Sequence, residues 1–241
     1  MGEQTAAGVE WKGDGSPVTE ADLAVNAYLE RELRQLWPDA AWLSEESVDD
    51  PSRLQSAQVI IVDPIDGTRG FARGDAHWGV SIALVIEGRP VCAIIHAPAL
   101  GETYTARVGE GAALNGRPIR LPDLGVIEER LRVSCPGSLM KALKAAGFVF
   151  AFQPKIASLA LRVAKVASGE YDAGLTTSNS HDWDIAAADL ILQEAGGILA
   201  DRDGQALIYN RLDPTHGVLT ASVRGLQPGF RAAVAKTPFG A

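Results

Sequence analysis

Two carboxylates, Asp63 and Asp66, stand at the end of the apolar, β-branched run Val59-Ile60-Ile61-Val62. Such a run reads as a buried strand. Pro64, with no N–H to give, is expected to end its ladder, and Ile65 turns back into apolar packing. Gly67 and Thr68 follow. The glycine permits a tight turn with exposed amides, and a helix starting there could receive a phosphate oxygen. Paired acids at a strand end suit divalent cations. Asp-Pro and Asp-Gly turns are also ordinary loop chemistry, so the hexapeptide alone leaves both readings open.

Three further acidic features share that description. Glu45 and Glu46 follow the short strand Ala41-Trp42-Leu43. Asp22 opens a helix, and Asp184 opens another in Asp182-Trp183-Asp184. Hard cations such as Mg²⁺ take oxygen ligands and keep several waters. Acids that converge without Lys or Arg repel one another unless metal is bound. Two metals about 4 Å apart can clamp an in-line displacement at phosphorus. Spacing alone does not establish that these acids meet.

The elements that must position them alternate along the chain. Thr19 is an N-cap with Asp22 as the capping-box acid of a helix that stops at Trp37-Pro38. A polar connector fills 48–57. Residues 78–86, 90–97 and 102–107 read as antiparallel strands, the first two joined at Glu87-Gly88, with turn-linked sheet over 109–116. Beyond residue 125 strands and helices alternate: a strand at 131–134, a helix over 138–146 ended by Gly147 with Phe148 and Val149 behind it, and a helix over 156–168. A brief strand at 172–175 and a helix over 185–195 follow, the latter closed by Gly196-Gly197. Two halves result, 1–125 with most of the acids and 126–241 with Asp184.

The 241 residues allow one large domain or two small ones, and the net charge is −8. That balance argues against a nucleic-acid polymer or an anionic membrane as partner. An anionic substrate would then need bound cations. No apolar run of about 18 residues suggests a membrane span. Met1-Gly2-Glu3-Gln4 is not followed by the apolar stretch of a signal peptide. Cys92 and Cys135 form no metal or disulfide pattern, so a reducing cytoplasm is expected.

Asp63-Pro64-Ile65-Asp66-Gly67-Thr68, with Trp183-Asp184-Ile185-Ala186-Ala187-Ala188 and Glu194-Ala195-Gly196-Gly197 downstream, resembles the inositol monophosphatase superfamily. Ser44-Glu45-Glu46-Ser47 and Val18-Thr19-Glu20-Ala21-Asp22 match further positions, so the likeness covers nearly the whole chain. The resemblance implies an α/β fold layered α/β/α/β/α, with the site between the halves and two or three Mg²⁺ ions. Glu45, Asp63 and the Ile65 carbonyl would hold the first metal. Asp63, Asp66 and Asp184 would hold the second. Thr68 and Asp22 would activate the water, with Glu46 assisting from behind the ligands or through a water. The Gly67 and Thr68 amides would bind phosphate, with Asp66 and Asp184 also facing the substrate.

Within the superfamily, Lys12-Gly13-Asp14-Gly15-Ser16-Pro17-Val18-Thr19 and Leu43-Ser44-Glu45-Glu46 look most like bacterial 3'(2'),5'-bisphosphate nucleotidases, which act on adenosine 3',5'-bisphosphate. Inositol phosphatases typically place a glutamate shortly before the Trp-Asp pair, where this chain has Leu175-Thr176-Thr177-Ser178. Arg69 and Arg73 could meet a second phosphate or be plain surface charge. Ser158 could touch substrate or cap its helix. The rival readings are an inositol-1-phosphatase, another sugar or histidinol phosphate phosphatase, and a non-catalytic regulatory protein of the same fold. Family members usually carry a helix ahead of Lys12, so a shortened N-terminus is expected. Besides a small phosphorylated substrate, the partner expected is at most a second copy of the chain.

Overall fold

The computed structural model describes residues 9–11, 17–122, 131–145, 150–154, 156–176, 178–226 and 234. The Lys12 to Ser16 stretch, Ala146 to Val149, Thr177 and the boundary expected at 125/126 lie outside the described residues. The first half forms β1 (Val9–Trp11), β2 (Pro17–Thr19), α1 (Glu20–Leu36), β3 (Ala41–Ser44), β4 (Gln58–Asp66) and the single turn α2 (Thr68–Phe71). It continues as β5 (Gly79–Ile86), β6 (Arg89–Ala97), β7 (Glu102–Arg107), β8 (Gly111–Leu114) and β9 (Arg117–Ile119). Then come β10 (Arg132–Ser134), α3 (Gly137–Ala145), β11 (Ala151–Phe152), α4 (Leu159–Ala167), β12 (Ala173–Leu175) and β13 (Ser180–His181). The last elements are α5 (Asp182–Glu194), β14 (Gly197–Asp201), β15 (Thr215–His216) and β16 (Leu219–Val223).

β3 to β9 form one seven-stranded sheet in sequence order, antiparallel except for the parallel β3–β4 pair. A five-stranded mixed sheet has the order β11-β10-β12-β16-β14. Helices α4 and α5 lie between the sheets, touching β4 to β6 on one side and β12, β14 and β16 on the other. Helix α1 covers the outer face of the large sheet over its own apolar cluster of Trp42, Ile60 and Val62. The β10–α3–β11 and β11–α4–β12 crossovers run in opposite directions along the sheet. Right-handed crossovers therefore put α3 on the face opposite α4. The layering is α/β/α/β/α, as the resemblance implies.

The burial patterns explain why the sequence reads as it does. β4 is buried on both faces because α1 and α5 sandwich it, so it is continuously apolar. β5 alternates buried and half-buried, as a strand covered more fully on one face should. Helix α5 is buried from Ile185 to Leu192, as befits a helix wedged between sheets.

Three expectations are corrected. Pro64 does not end β4: the ladder with β5 runs to Asp63 opposite Ser81, breaks, and resumes at Asp66 opposite Gly79. The missing N–H falls inside this irregularity, where no ladder bond is required. The helix expected from 156 begins at Leu159, because Ser158 caps it and accepts from the Leu161 amide at 3.0 Å. The connector 48–57 is not merely polar. It holds a 3₁₀ turn whose Arg53 is 1% exposed, bonded to Asp49, Asn210 and the Arg211 carbonyl. No helix among the described residues is long and apolar enough to cross a membrane.

Candidate active site

Residues three apart on a regular strand face opposite sides. The irregularity between Asp63 and Asp66 removes that constraint, and both carboxylates turn into one space. Asp184, in the first turn of α5, joins them: one oxygen of each lies within 4.8 Å of the others. Asp63 also accepts from the Ile65 amide at 3.0 Å, closing the turn on itself. Asp66 reaches across to the second half and caps α4. It accepts from the Leu159 amide at 3.1 Å, the Ala160 amide at 2.6 Å and the Ser158 hydroxyl. Asp184 accepts from the His181 amide at 2.6 Å. His181 and Trp183 stack with ring centroids 4.5 Å apart beside it.

Asp22 is fully buried and serves two ends at once. It closes the capping box of α1, accepting from the Thr19 amide at 2.8 Å. Its other oxygen accepts from the Thr68 hydroxyl at 3.2 Å. Thr68 Oγ1 also lies 2.9 Å from the Ile65 carbonyl. With one proton to give, the hydroxyl serves one acceptor at a time, and its lone pairs stay available to a water. Gly67 heads the α2 turn at φ +97° and packs against the Ser158 backbone, which a Cβ would meet at 2.9 Å. Conformation and space both require glycine there.

Glu45 and Glu46 follow β3 and are half-buried. Among the described residues the tight triplet does not include Glu45, yet its charge is felt at Asp63. The loop that carries them is braced by Asn26 of α1, which accepts from the Ser44 hydroxyl at 2.6 Å and donates to Ser47 at 3.1 Å. Arg69 and Arg73 are exposed on and just after α2. Ser158 is fully buried, with its hydroxyl spent on Asp66 and its own helix. The structure thus places it behind a carboxylate, not against open space.

The electrostatics fit a cation site. Burial first, then Glu45, Asp66, Asp184 and Asp22, push the Asp63 pKa far above the carboxylate range. Burial and then Asp184 raise Asp66 to about 7, against the pull of its Ser158, Ala160 and Leu159 donors. Such a cluster takes up protons or a cation. All the donors are oxygen, which suits a hard ion such as Mg²⁺. Asp184 in turn holds the pKa of His181 up, against the desolvation of that ring.

Sequence reasoning missed several supports. Asn26 reads by its spacing as part of the apolar face of α1, which hides its bracing of the Glu45–Glu46 loop. Asp182 was not singled out, yet it binds His216 Nε2 at 2.7 Å and the Asn210 amide at 2.7 Å, fixing the start of α5. Arg162 is a cation on α4, whose described side chains are otherwise apolar apart from Lys165. A charge inside so buried a helix was the available signal.

The inositol monophosphatase family model matches residues 2–237. The chain is 35% identical to the 3'(2'),5'-bisphosphate nucleotidase CysQ of Aggregatibacter actinomycetemcomitans, over 86% of this chain and 80% of that one. It is 33% identical to the Nus factor SuhB of Salmonella typhimurium, over 80% of this chain and 74% of that one. The crystal structure of the extragenic suppressor protein suhB from Bartonella henselae superposes with a TM-score of 0.82 at 29% identity, covering 95% of this chain and 88% of that one.

Proposed function

Since the chain belongs to the inositol monophosphatase family, we propose that it is a Mg²⁺-dependent phosphomonoesterase acting as a 3'(2'),5'-bisphosphate nucleotidase. The observation that carries the metal-dependent reading is the triplet Asp63, Asp66 and Asp184, with carboxylate oxygens within 4.8 Å and, among the described residues, no cationic side chain bonded to any of them except the ring of His181, 3.8 Å from Asp184. Glu45, Asp63 and the Ile65 carbonyl would hold one ion and Asp63, Asp66 and Asp184 a second, in a site of two or three Mg²⁺. Bound Mg²⁺ supplies an acidified water and neutralises the phosphate oxygens. Thr68 holds the attacking water through its lone pairs, and Asp22 fixes the hydroxyl and takes the proton passed through it. Glu46 supports Glu45 from behind. The Gly67 and Thr68 amides face the phosphate, and Arg69 with Arg73 favours a substrate with a second phosphate.

The nucleotide assignment is supported by the nucleotidase relative and by the absence of an acid in Leu175-Thr176-Thr177-Ser178. The enzyme acts in the cytoplasm on a small phosphorylated substrate. The Nus factor relatives favour a second reading, a regulatory protein that keeps the fold. A panel with saturating Mg²⁺ decides. Hydrolysis of adenosine 3',5'-bisphosphate is expected with kcat/KM at least about tenfold above inositol 1-phosphate. The reverse preference makes the chain an inositol phosphatase. No turnover of any phosphomonoester, despite Mg²⁺ binding, selects the regulatory reading.

A further inference from the structure

Arg162 sits in the first turn of α4, the same turn whose amides Asp66 caps. It is 6% exposed. Nη1 donates to the Leu175 carbonyl at 3.3 Å and Nη2 to the Ile156 carbonyl at 2.9 Å, while among the described residues Nε has no partner. Among the described residues no carboxylate pairs with it directly. A buried guanidinium with two neutral acceptors and an orphaned N–H is costly. Desolvation accordingly pulls its proton affinity down, and the fields of Asp66, Cys135, Tyr171 and Asp184 pull it back. The Ile156 carbonyl lies two residues before Ser158, which caps α4 and donates to Asp66, and the Leu175 carbonyl lies at the end of β12.

We propose that Arg162 is the built-in counter-charge of the acid cluster, a positioning residue that steadies Asp66 and Asp184 when cations are away and loosens the grip on cations when they arrive. Its place accounts for a buried charge on α4 that, unlike Lys165 with its Glu170 and Glu102 partners, has no paired carboxylate among the described residues. A cation entering beside Asp66 and Asp184 meets their attraction minus the repulsion of a fixed positive charge behind them. Because that charge sits in poorly screened surroundings, its effect on an arriving dication is sizeable. The inference rests on the metal-site reading above.

The experiment compares wild type, R162M and R162K, with Mg²⁺ binding measured by calorimetry and melting measured with and without Mg²⁺. R162M is expected to bind Mg²⁺ roughly tenfold more tightly than wild type. Saturating Mg²⁺ then raises its melting temperature by more than it raises that of wild type. R162K, which keeps the charge, stays within about threefold of wild type in affinity. If R162M binds Mg²⁺ no more tightly than wild type, or gains no more from it in melting, Arg162 only packs and the proposal is overturned. If R162M does not fold, R162Q, which still offers a donor to the Ile156 carbonyl, takes its place with the same expected and overturning results. Wild type that binds no Mg²⁺ at all removes the metal reading itself, an outcome distinct from an unshifted variant.

Discussion

Helix α5 carries acids of two kinds. Asp182 and Asp189 are sealed, 0% and 1% exposed, and each has donors of its own. His216 and the Asn210 amide fill Asp182, while Tyr209 Oη at 2.8 Å and Gln193 Nε2 at 2.7 Å fill Asp189. Asp184, on the same helix, has one amide and a histidine ring at its edge and otherwise faces Asp63 and Asp66. Burial alone does not separate the kinds, since it raises Asp189 to about 6 much as it raises Asp66 to about 7. What separates them is the neighbour that comes next in size. For Asp189 it is a donor that lowers the pKa, and for Asp66 it is another carboxylate that raises it. What dominates after burial, a donor or another acid, separates an architectural acid from one of the proposed metal site.

That contrast predicts opposite responses to mutation. Asp63→Asn removes a carboxylate whose largest charged neighbours are all acids. Phosphatase activity should fall roughly a thousandfold, the scale of losing an electrostatic stabiliser. The metal-free protein should become more stable by more than about 1 kcal/mol, read from urea melts. The sign in pH follows from Asp66. Its folded pKa, about 7, lies above the unfolded value of 3.8, so the folded state binds more protons between them. Metal-free stability from this group is fullest below about pH 4 and is lost as pH rises to about 7, and saturating Mg²⁺ should flatten that loss at the high end. A metal-free protein whose stability rises over that range would break the comparison. Asp182→Ala should do the reverse of Asp63→Asn. It leaves His216 Nε2 and the Asn210 amide without an acceptor, costing about 3 kcal/mol with and without Mg²⁺. Equal stability of Asp182→Ala and wild type would place Asp182 outside the framework.

The contrast also marks what could be read before the fold was known. The strand ahead of Asp63, the capping box at Thr19 and Asp22, and the helix opening at Asp182 were legible because they depend on neighbours a few residues away. The acids of the proposed site could be named from their residue types and the family likeness. The donors that sort them could not. Asp182 meets a histidine 34 residues on, and Asp66 meets Ser158 92 residues on. Nothing in local periodicity encodes such distances. The bulge at Pro64 was misread for a related reason. A proline in a strand predicts a lost ladder bond, but whether the strand resumes depends on the partner, here Gly79. Arg53 is buried by contacts that local pattern does not carry, among them Asn210, 157 residues on.

Ser158 tests the boundary between the two kinds of acid, because it touches both orders of structure with one hydroxyl. It caps α4 by accepting from Leu161 and donates to Asp66. Ser158→Ala should therefore show two small effects. Lost capping costs about 1 kcal/mol, the same with and without Mg²⁺. The lost donor frees Asp66 to swing and raises its pKa further, so Mg²⁺ affinity near neutral pH should weaken by about tenfold, the scale of removing a group that orients a ligand. Ser158→Thr, which keeps the hydroxyl, should restore the affinity. If Ser158→Ala lowers stability but leaves Mg²⁺ affinity unchanged, Asp66 is held by the Leu159 and Ala160 amides alone. It would then resemble Asp189, whose donors fix it independently of any cation, more closely than its place beside Asp184 suggests.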